Sequence, residues 1–234
     1  MIPLRDSEAA RRFTPANTIL IILNVAVFGL EVYLANRRGA AVGAWAMVPV
    51  RFAHLSWRAP LHDARVLATI VTAMFLHAGL LHIAGNMLYL FIFGPAVEQR
   101  MGSWRYLPFY LLAGIAAGLA TIAMGPASRV PVIGASGAIA GVLGAYFVLY
   151  PRGRITTILP LFVFIQVIEV PAVFYLLAWF AVQLYAGIAS GAPGPLAGGV
   201  AWWAHVGGFL FGVGTAPLLV HRPKPKRRPA RRRG

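Results

Sequence analysis

Val132-Ile-Gly-Ala-Ser-Gly-Ala-Ile-Ala-Gly-Val-Leu-Gly-Ala-Tyr146 is the stretch whose reading decides the fold. Apart from Tyr146 its only polar side chain is Ser136, near its start. Gly137, Gly141 and Gly144, with Ala140 and Ala145, give a helix one face made of small residues, which a second helix can approach closely. The matching face is Ala204-His-Val-Gly-Gly208-Phe-Leu-Phe-Gly212, where Gly208 and Gly212 are spaced by four and His205 is the one ionisable residue. Packing the two faces together brings Ser136 to His205, and an imidazole that takes its proton turns a serine hydroxyl into a nucleophile. A lone serine in a glycine-rich helix is more often a packing residue, so the reading needs further residues.

Composition sets the surroundings. Mean hydropathy is +0.72, with 59% hydrophobic and 12% charged residues, which excludes a soluble globular domain and indicates a polytopic membrane protein. The 234 residues suit about six helical spans of ~20 residues each with short loops. The expected fold class is therefore all-α, a six-helix membrane bundle at 18–221 between a cytoplasmic N-terminal segment, 1–17, and a basic cytoplasmic tail, 222–234. Residues 1–13 are polar and the first apolar run is long enough to span, so no cleavable signal is expected. The chain has no cysteine, which removes disulfides, thiolate metal sites and cysteine nucleophiles. Much of the net charge of +15 sits in Lys224-Pro-Lys-Arg-Arg-Pro-Ala-Arg-Arg-Arg-Gly234. Following directly on an apolar span, this run reads as a cytoplasmic retention signal beside anionic lipid and not as a nucleic-acid-binding arm.

The spans are expected at 19–35, about 82–98, 106–124, 136–150, 171–188 and 201–220. Residues 37–65 are expected to form a folded, partly interfacial loop, and 66–81 a surface segment, because 66–98 is too long for one span. Residues 155–170 carry Pro160, Gln166 and Glu169 and are expected not to span. Ser190 to Gly199 reads as a flexible outer loop. With both termini in the cytoplasm, spans two, four and six enter from the outer side. Asn86, Ser136 and His205 then each lie within one or two turns of the outer end of a different span, at a common depth.

Each of these residues has a use in acyl transfer. His205 is the base for Ser136. Asn86, His82 one turn before it and the Ser136 backbone N–H at a helix N-terminus are donors for the oxyanion that the attack creates. None of the six acidic residues falls behind His205, so a Ser-His dyad is expected. Gly134-Ala-Ser-Gly-Ala138 lacks the last glycine of a nucleophile elbow, and so apolar a chain leaves no place for a parallel sheet. His77, His82 and His205 as ligands of a metal or haem form the competing reading. It lacks a His-Glu-x-x-His motif and leaves Ser136 and Asn86 idle, so no cofactor or metal is expected. His77 reads as a structural support of the loop before span two.

Gly134-Ala-Ser-Gly137, His82-x-x-x-Asn86 and Ala204-His-Val-Gly-Gly208, in this order on alternate spans, resemble the rhomboid intramembrane serine proteases. Phe75-Leu-His-Ala-Gly79 and Glu98-x-x-x-Gly102 extend the resemblance over the six-span body. It implies Ser136 as nucleophile, His205 as general base and acid, and Asn86 with His82 as oxyanion stabilisers. It also implies single-span membrane proteins as substrates, cut near the outer face of a prokaryotic cytoplasmic membrane, with a small residue before the scissile bond. Two positions depart from some relatives. Ala68-Thr69 replaces a Trp-Arg pair, although Trp57-Arg58 lies further up the loop, and Ala140 stands where some carry a tyrosine that supports the histidine. The second departure leaves the support of His205 open. A catalytically dead binder of transmembrane segments is the other alternative, but such a relative would be expected to have lost Ser136 or His205.

Overall fold

Long apolar runs, interrupted by the glycines and prolines that stop them, set the helix boundaries. The chain's structure, a computed structural model, describes residues 2–8, 10, 12–38, 41–55, 60–161, 164–190 and 201–220. Among them are eight helices: α1 (Pro15–Arg38), α2 (Pro49–Phe52), α3 (Pro60–Thr72), α4 (Leu80–Met101), α5 (Ser103–Met124), α6 (Ser136–Leu149), α7 (Ala172–Ala189) and α8 (Trp202–Leu219). Prolines open α1, α2 and α3, where the missing N–H costs nothing. Gly102, at φ +83°, separates α4 from α5.

Four helices, α1, α4, α5 and α7, are long and apolar enough to cross a membrane. The other two expected spans differ. α6 has only 14 residues, so it rises roughly 21 Å, short of a ~30 Å hydrocarbon core. α8 has 18 residues, four of them glycine, with His205 in its first turn. These two form the interior of the bundle, pack most extensively on each other, and both lie against α5. Every residue of α6 from Gly137 to Tyr146 is buried. The small-residue faces meet as the sequence predicts. A methyl added at Gly208 would run into the Gly137 carbonyl oxygen, one at Gly212 into that of Gly141, and one at Gly144 into that of Phe209. Only glycine permits such backbone contact.

One group of polar residues inside the bundle is closely paired, as a medium without water favours. Glu98, 2% exposed, accepts hydrogen bonds from the backbone N–H groups of Ala16 (3.1 Å) and Asn17 (2.6 Å) at the start of α1 and from Ser103 Oγ (2.6 Å). It thereby caps one helix and ties the α4–α5 turn to it. Asn17 Nδ2 donates to the Leu90 carbonyl (3.2 Å), and Tyr106 Oη donates to Asn17 Oδ1 (2.7 Å).

Residues 155–170 do not span, as expected, but they are not irregular. β2 (Arg154–Leu161) and β3 (Phe164–Pro171) form an antiparallel hairpin, and β1 (Ile2–Asp6) adds antiparallel to β2. The helical bundle is as expected, with this small three-stranded sheet added to it, and the N-terminal segment supplies one of its strands. The register places Asp6 opposite Ile155 and Pro3 opposite Thr157, all on the buried face, while an Arg154–Glu169 ion pair (3.4 Å) lies on the exposed one. This sheet joins the ends of α6 and α7 remote from Ser136.

At the Ser136 end the 41–55 loop is folded, as expected of a cap. Met47 and Val132 exchange backbone hydrogen bonds (3.2 and 2.7 Å), and Val50 N–H donates to the Ser128 carbonyl (2.9 Å). α3 and the turn Ala73–Phe75 make up the expected surface segment before α4. Trp57-Arg58, most of the 190–199 loop and the basic tail lie outside the described residues.

Candidate active site

Ser136 begins α6 as its first helical residue, because Ile139 N–H to the Ala135 carbonyl (3.0 Å) is the first turn's bond. The amides before Ile139 have no intrahelical acceptor and point out of the helix end. α6 is short, so this end is sunk among the longer helices, half-buried, at the floor of a cleft of about 590 Å3. His82, Asn86, Gly134, Ser136 and His205 all line that cleft. The four residues singled out from the sequence are thus in one place.

His205 lies in the first turn of α8. Where α6 and α8 touch backbone to backbone, its Nε2 stands 2.9 Å from Ser136 Oγ. Its other ring nitrogen, Nδ1, stands 2.7 Å from Gln183 Oε1 on α7. Gln183 Nε2 donates to the Trp179 carbonyl (3.3 Å), which turns the amide oxygen toward the imidazole. Nδ1 therefore carries the proton, and the Nε2 lone pair is left to accept from the Ser136 hydroxyl. The Trp179 ring lies 5.8 Å from the imidazole at 38°, and the Trp202 ring meets it edge-on at 6.3 Å.

The donors lie across the cleft. Asn86 is 8% exposed, and its Nδ2 has no acceptor among the described residues. A buried amide N–H without a partner costs free energy in the resting fold. His82 Nδ1 accepts from Ala78 N–H (3.3 Å), so the proton is on Nε2. Both donors face Gly134, where an added Cβ would stand 2.8 Å from His82 Nε2 and 3.5 Å from Asn86 Nδ2. Gly134 has φ +117° and donates its N–H to the Ala73 carbonyl (2.8 Å), so a glycine is needed for both the turn and the space. Glu31 holds the loop before α4 by accepting from His77 N–H (3.0 Å), and the His77 ring packs edge-on to His82 at 5.2 Å. His77 is a support, as the sequence suggests.

Gln183 escaped the sequence reading. Its signal is an uncharged polar residue in the middle of a span, but only the rotation of α7 shows that it faces His205. No carboxylate stands behind the imidazole among the described residues.

A protein-family profile described as Rhomboid domain matches residues 64–222. The match begins within α3, so α1 lies outside it. Rhomboid protease GluP of Bacillus subtilis (strain 168) is 46% identical over 76 residues, 32% of this chain and 14% of that protein. Rhomboid protein 1, mitochondrial, of Saccharomyces cerevisiae is 32% identical over 151 residues, 62% of this chain and 40% of its own length. The human presenilin-associated rhomboid-like protein, mitochondrial, is 30% identical over 155 residues, 62% and 36% of the two chains. The chain thus spans less than half the length of each of these relatives.

Proposed function

Because the chain belongs to the rhomboid family and is a multi-pass membrane protein, we propose that it is an intramembrane serine endopeptidase acting through a Ser136–His205 dyad. The observation that carries the proposal is the 2.9 Å contact between His205 Nε2 and Ser136 Oγ in a cleft that also holds the unpartnered Asn86 amide.

The chemistry follows from the geometry. Ser136 Oγ attacks the scissile carbonyl carbon as its proton passes to His205 Nε2. The carbonyl oxygen becomes an oxyanion, for which Asn86 Nδ2, His82 Nε2–H and the Ser136 N–H are the donors. The tetrahedral intermediate collapses, the C–N bond breaks, and His205 returns the proton to the leaving amine. Water then attacks the acyl-serine, giving its proton to His205, and a second collapse releases the acid and restores the hydroxyl. Among the described residues Asn86 Nδ2 has no acceptor to give up, so in this reading its hydrogen bond forms with the substrate. Such an interaction accelerates the chemical step more than it tightens binding.

The substrates in this reading are transmembrane segments of single-span proteins. A cleft lined mostly by apolar side chains within a lipid-embedded bundle suits an apolar chain unwound near its end. Arg5, Arg12, Arg100, Arg105, Arg152 and Arg154 gather at the end of the bundle opposite Ser136, beyond which the basic tail follows in sequence. Arg37, Arg38, Arg51, Arg65 and Arg129 lie toward the other end, so it is the basic tail that tips the balance in favour of both termini in the cytoplasm and a site near the outer face of a cytoplasmic membrane. The membrane body is taken as 18–221, including α1, because Glu98 fastens α1 to α4. A dead binder of transmembrane segments would have no need of the aligned Ser136–His205–Gln183 chain. The test is cleavage of a single-span substrate by the purified protein in liposomes, where Ser136→Ala should abolish product. Equal cleavage by that variant would overturn the proposal.

A further inference from the structure

We infer that Gln183 is the positioning residue of this site: it fixes the tautomer and orientation of His205, the place that a carboxylate fills in a serine triad. The inference rests on the dyad proposed above and adds a third member from a helix that carries neither Ser136 nor His205.

Five observations converge. The 2.7 Å contact between Gln183 Oε1 and His205 Nδ1 is the shorter of the two hydrogen bonds to the imidazole. The amide cannot flip without cost, because its NH2 is held on the Trp179 carbonyl one turn earlier. α7 is itself registered against α4 by the Tyr89–Tyr175 hydroxyl contact (3.0 Å), two turns from Gln183. Gly187, one turn beyond Gln183, lets α8 come close, since an added Cβ there would stand 3.3 Å from Trp203 Cε2. Gln183 is 6% exposed, so water does not compete for the imidazole N–H.

An amide suits this position for an electrostatic reason. A permanent carboxylate in a low-dielectric bundle is costly to desolvate unless it is paired. The amide oxygen offers the same acceptor geometry without the charge. It holds Nε2 as the acceptor in the resting state, and its dipole favours the imidazolium that forms when the serine proton arrives. The Trp179 ring, tilted 38° to the imidazole at 5.8 Å, packs beside it and the hydrogen bond fixes the proton, so Trp179 and Gln183 together do the work for which Ala140 is too small. Ala140 is fully buried in α6 and has no polar atom to offer.

Gln183→Met keeps the length and bulk of the side chain but removes the acceptor, whereas Gln183→Glu keeps it. In liposome assays Gln183→Met should lower kcat roughly 10- to 100-fold with KM changed less than about twofold. Gln183→Glu should recover at least a third of the wild-type kcat. The direct readout is the 15N spectrum of ring-labelled histidine, with the His205 signal assigned by its loss in His205→Gln. Wild type and Gln183→Glu should show Nδ1 protonated, and Gln183→Met a mixture of tautomers. A merely structural role moves stability but leaves the tautomer alone. Unchanged kcat and tautomer in folded Gln183→Met would overturn the inference. If Gln183→Met fails to fold, Gln183→Glu decides, and a folded, inactive Gln183→Glu rejects the inference. Wild-type protein that cleaves nothing and is not labelled by a fluorophosphonate would instead reject the dyad itself.

Discussion

Asn86→Ala separates an oxyanion donor from a packing residue. In the resting structure Asn86 Nδ2 is buried without an acceptor, so truncation removes no hydrogen bond from that atom and relieves an unsatisfied N–H. The stability cost is then limited to a small cavity, about 1 kcal/mol or less, with the unpaired donor's relief working against it. In the transition state the same truncation removes one of three donors. Losing one such donor costs about 2.7–4 kcal/mol where two hold the oxyanion. With His82 Nε2–H and the Ser136 N–H remaining, the expected loss is roughly 10- to 1000-fold in kcat, with KM little changed. The assay is single-turnover cleavage in proteoliposomes, run beside thermal unfolding of the same preparation in detergent. A variant with intact kcat per folded molecule and a melting temperature lower by several degrees would refute the oxyanion role.

Other consequences are structural. Gly208→Ala drives a methyl into the Gly137 carbonyl and should destabilise the bundle by about 1–3 kcal/mol in thermal unfolding, whereas Gly29→Ala, with nothing within 4 Å, should not. Glu98→Gln removes a charged acceptor from the start of α1 and should cost about 1–2 kcal/mol while kcat per folded molecule stays the same. Asp6, outside the membrane-spanning helices, is pushed up from 3.8 to about 6, chiefly because burial in the sheet penalises its charge. The folded protein therefore holds this proton more tightly than the unfolded chain. The resulting stability is fully present below about pH 4 and is lost as pH rises through about 6. Melting temperatures across that range should fall less in Asp6→Asn than in wild type.

How much could be read from residues alone follows the range of the interactions. The α6–α8 contact was legible because glycines four apart state a face and a distance, and a face with Ser136 at its mouth needs a partner carrying a base. Asn86 and His82 were legible as polar residues one turn apart at the same level. The sheet was not. Arg154-Ile-Thr-Thr-Ile-Leu-Pro-Leu161 alternates too weakly to announce a strand, and its pairing with Ile2–Asp6 joins residues about 150 apart in sequence. The length of α6 was also overestimated in function if not in residues. Fourteen residues are too few to span, and that shortness is what sinks Ser136 into the cleft. Gln183 shows the remaining limit: a polar residue within a span marks itself, but its partner depends on how α7 is rotated against α8.

The measurement that bears most directly on the Ser136–His205 assignment is mass-spectrometric location of a fluorophosphonate adduct on the purified protein. One adduct is predicted, on Ser136, absent from Ser136→Ala and formed at least ~10³-fold more slowly in His205→Ala, with no further loss when the two substitutions are combined. An adduct on another residue, or labelling of Ser136 at an undiminished rate without His205, would contradict it.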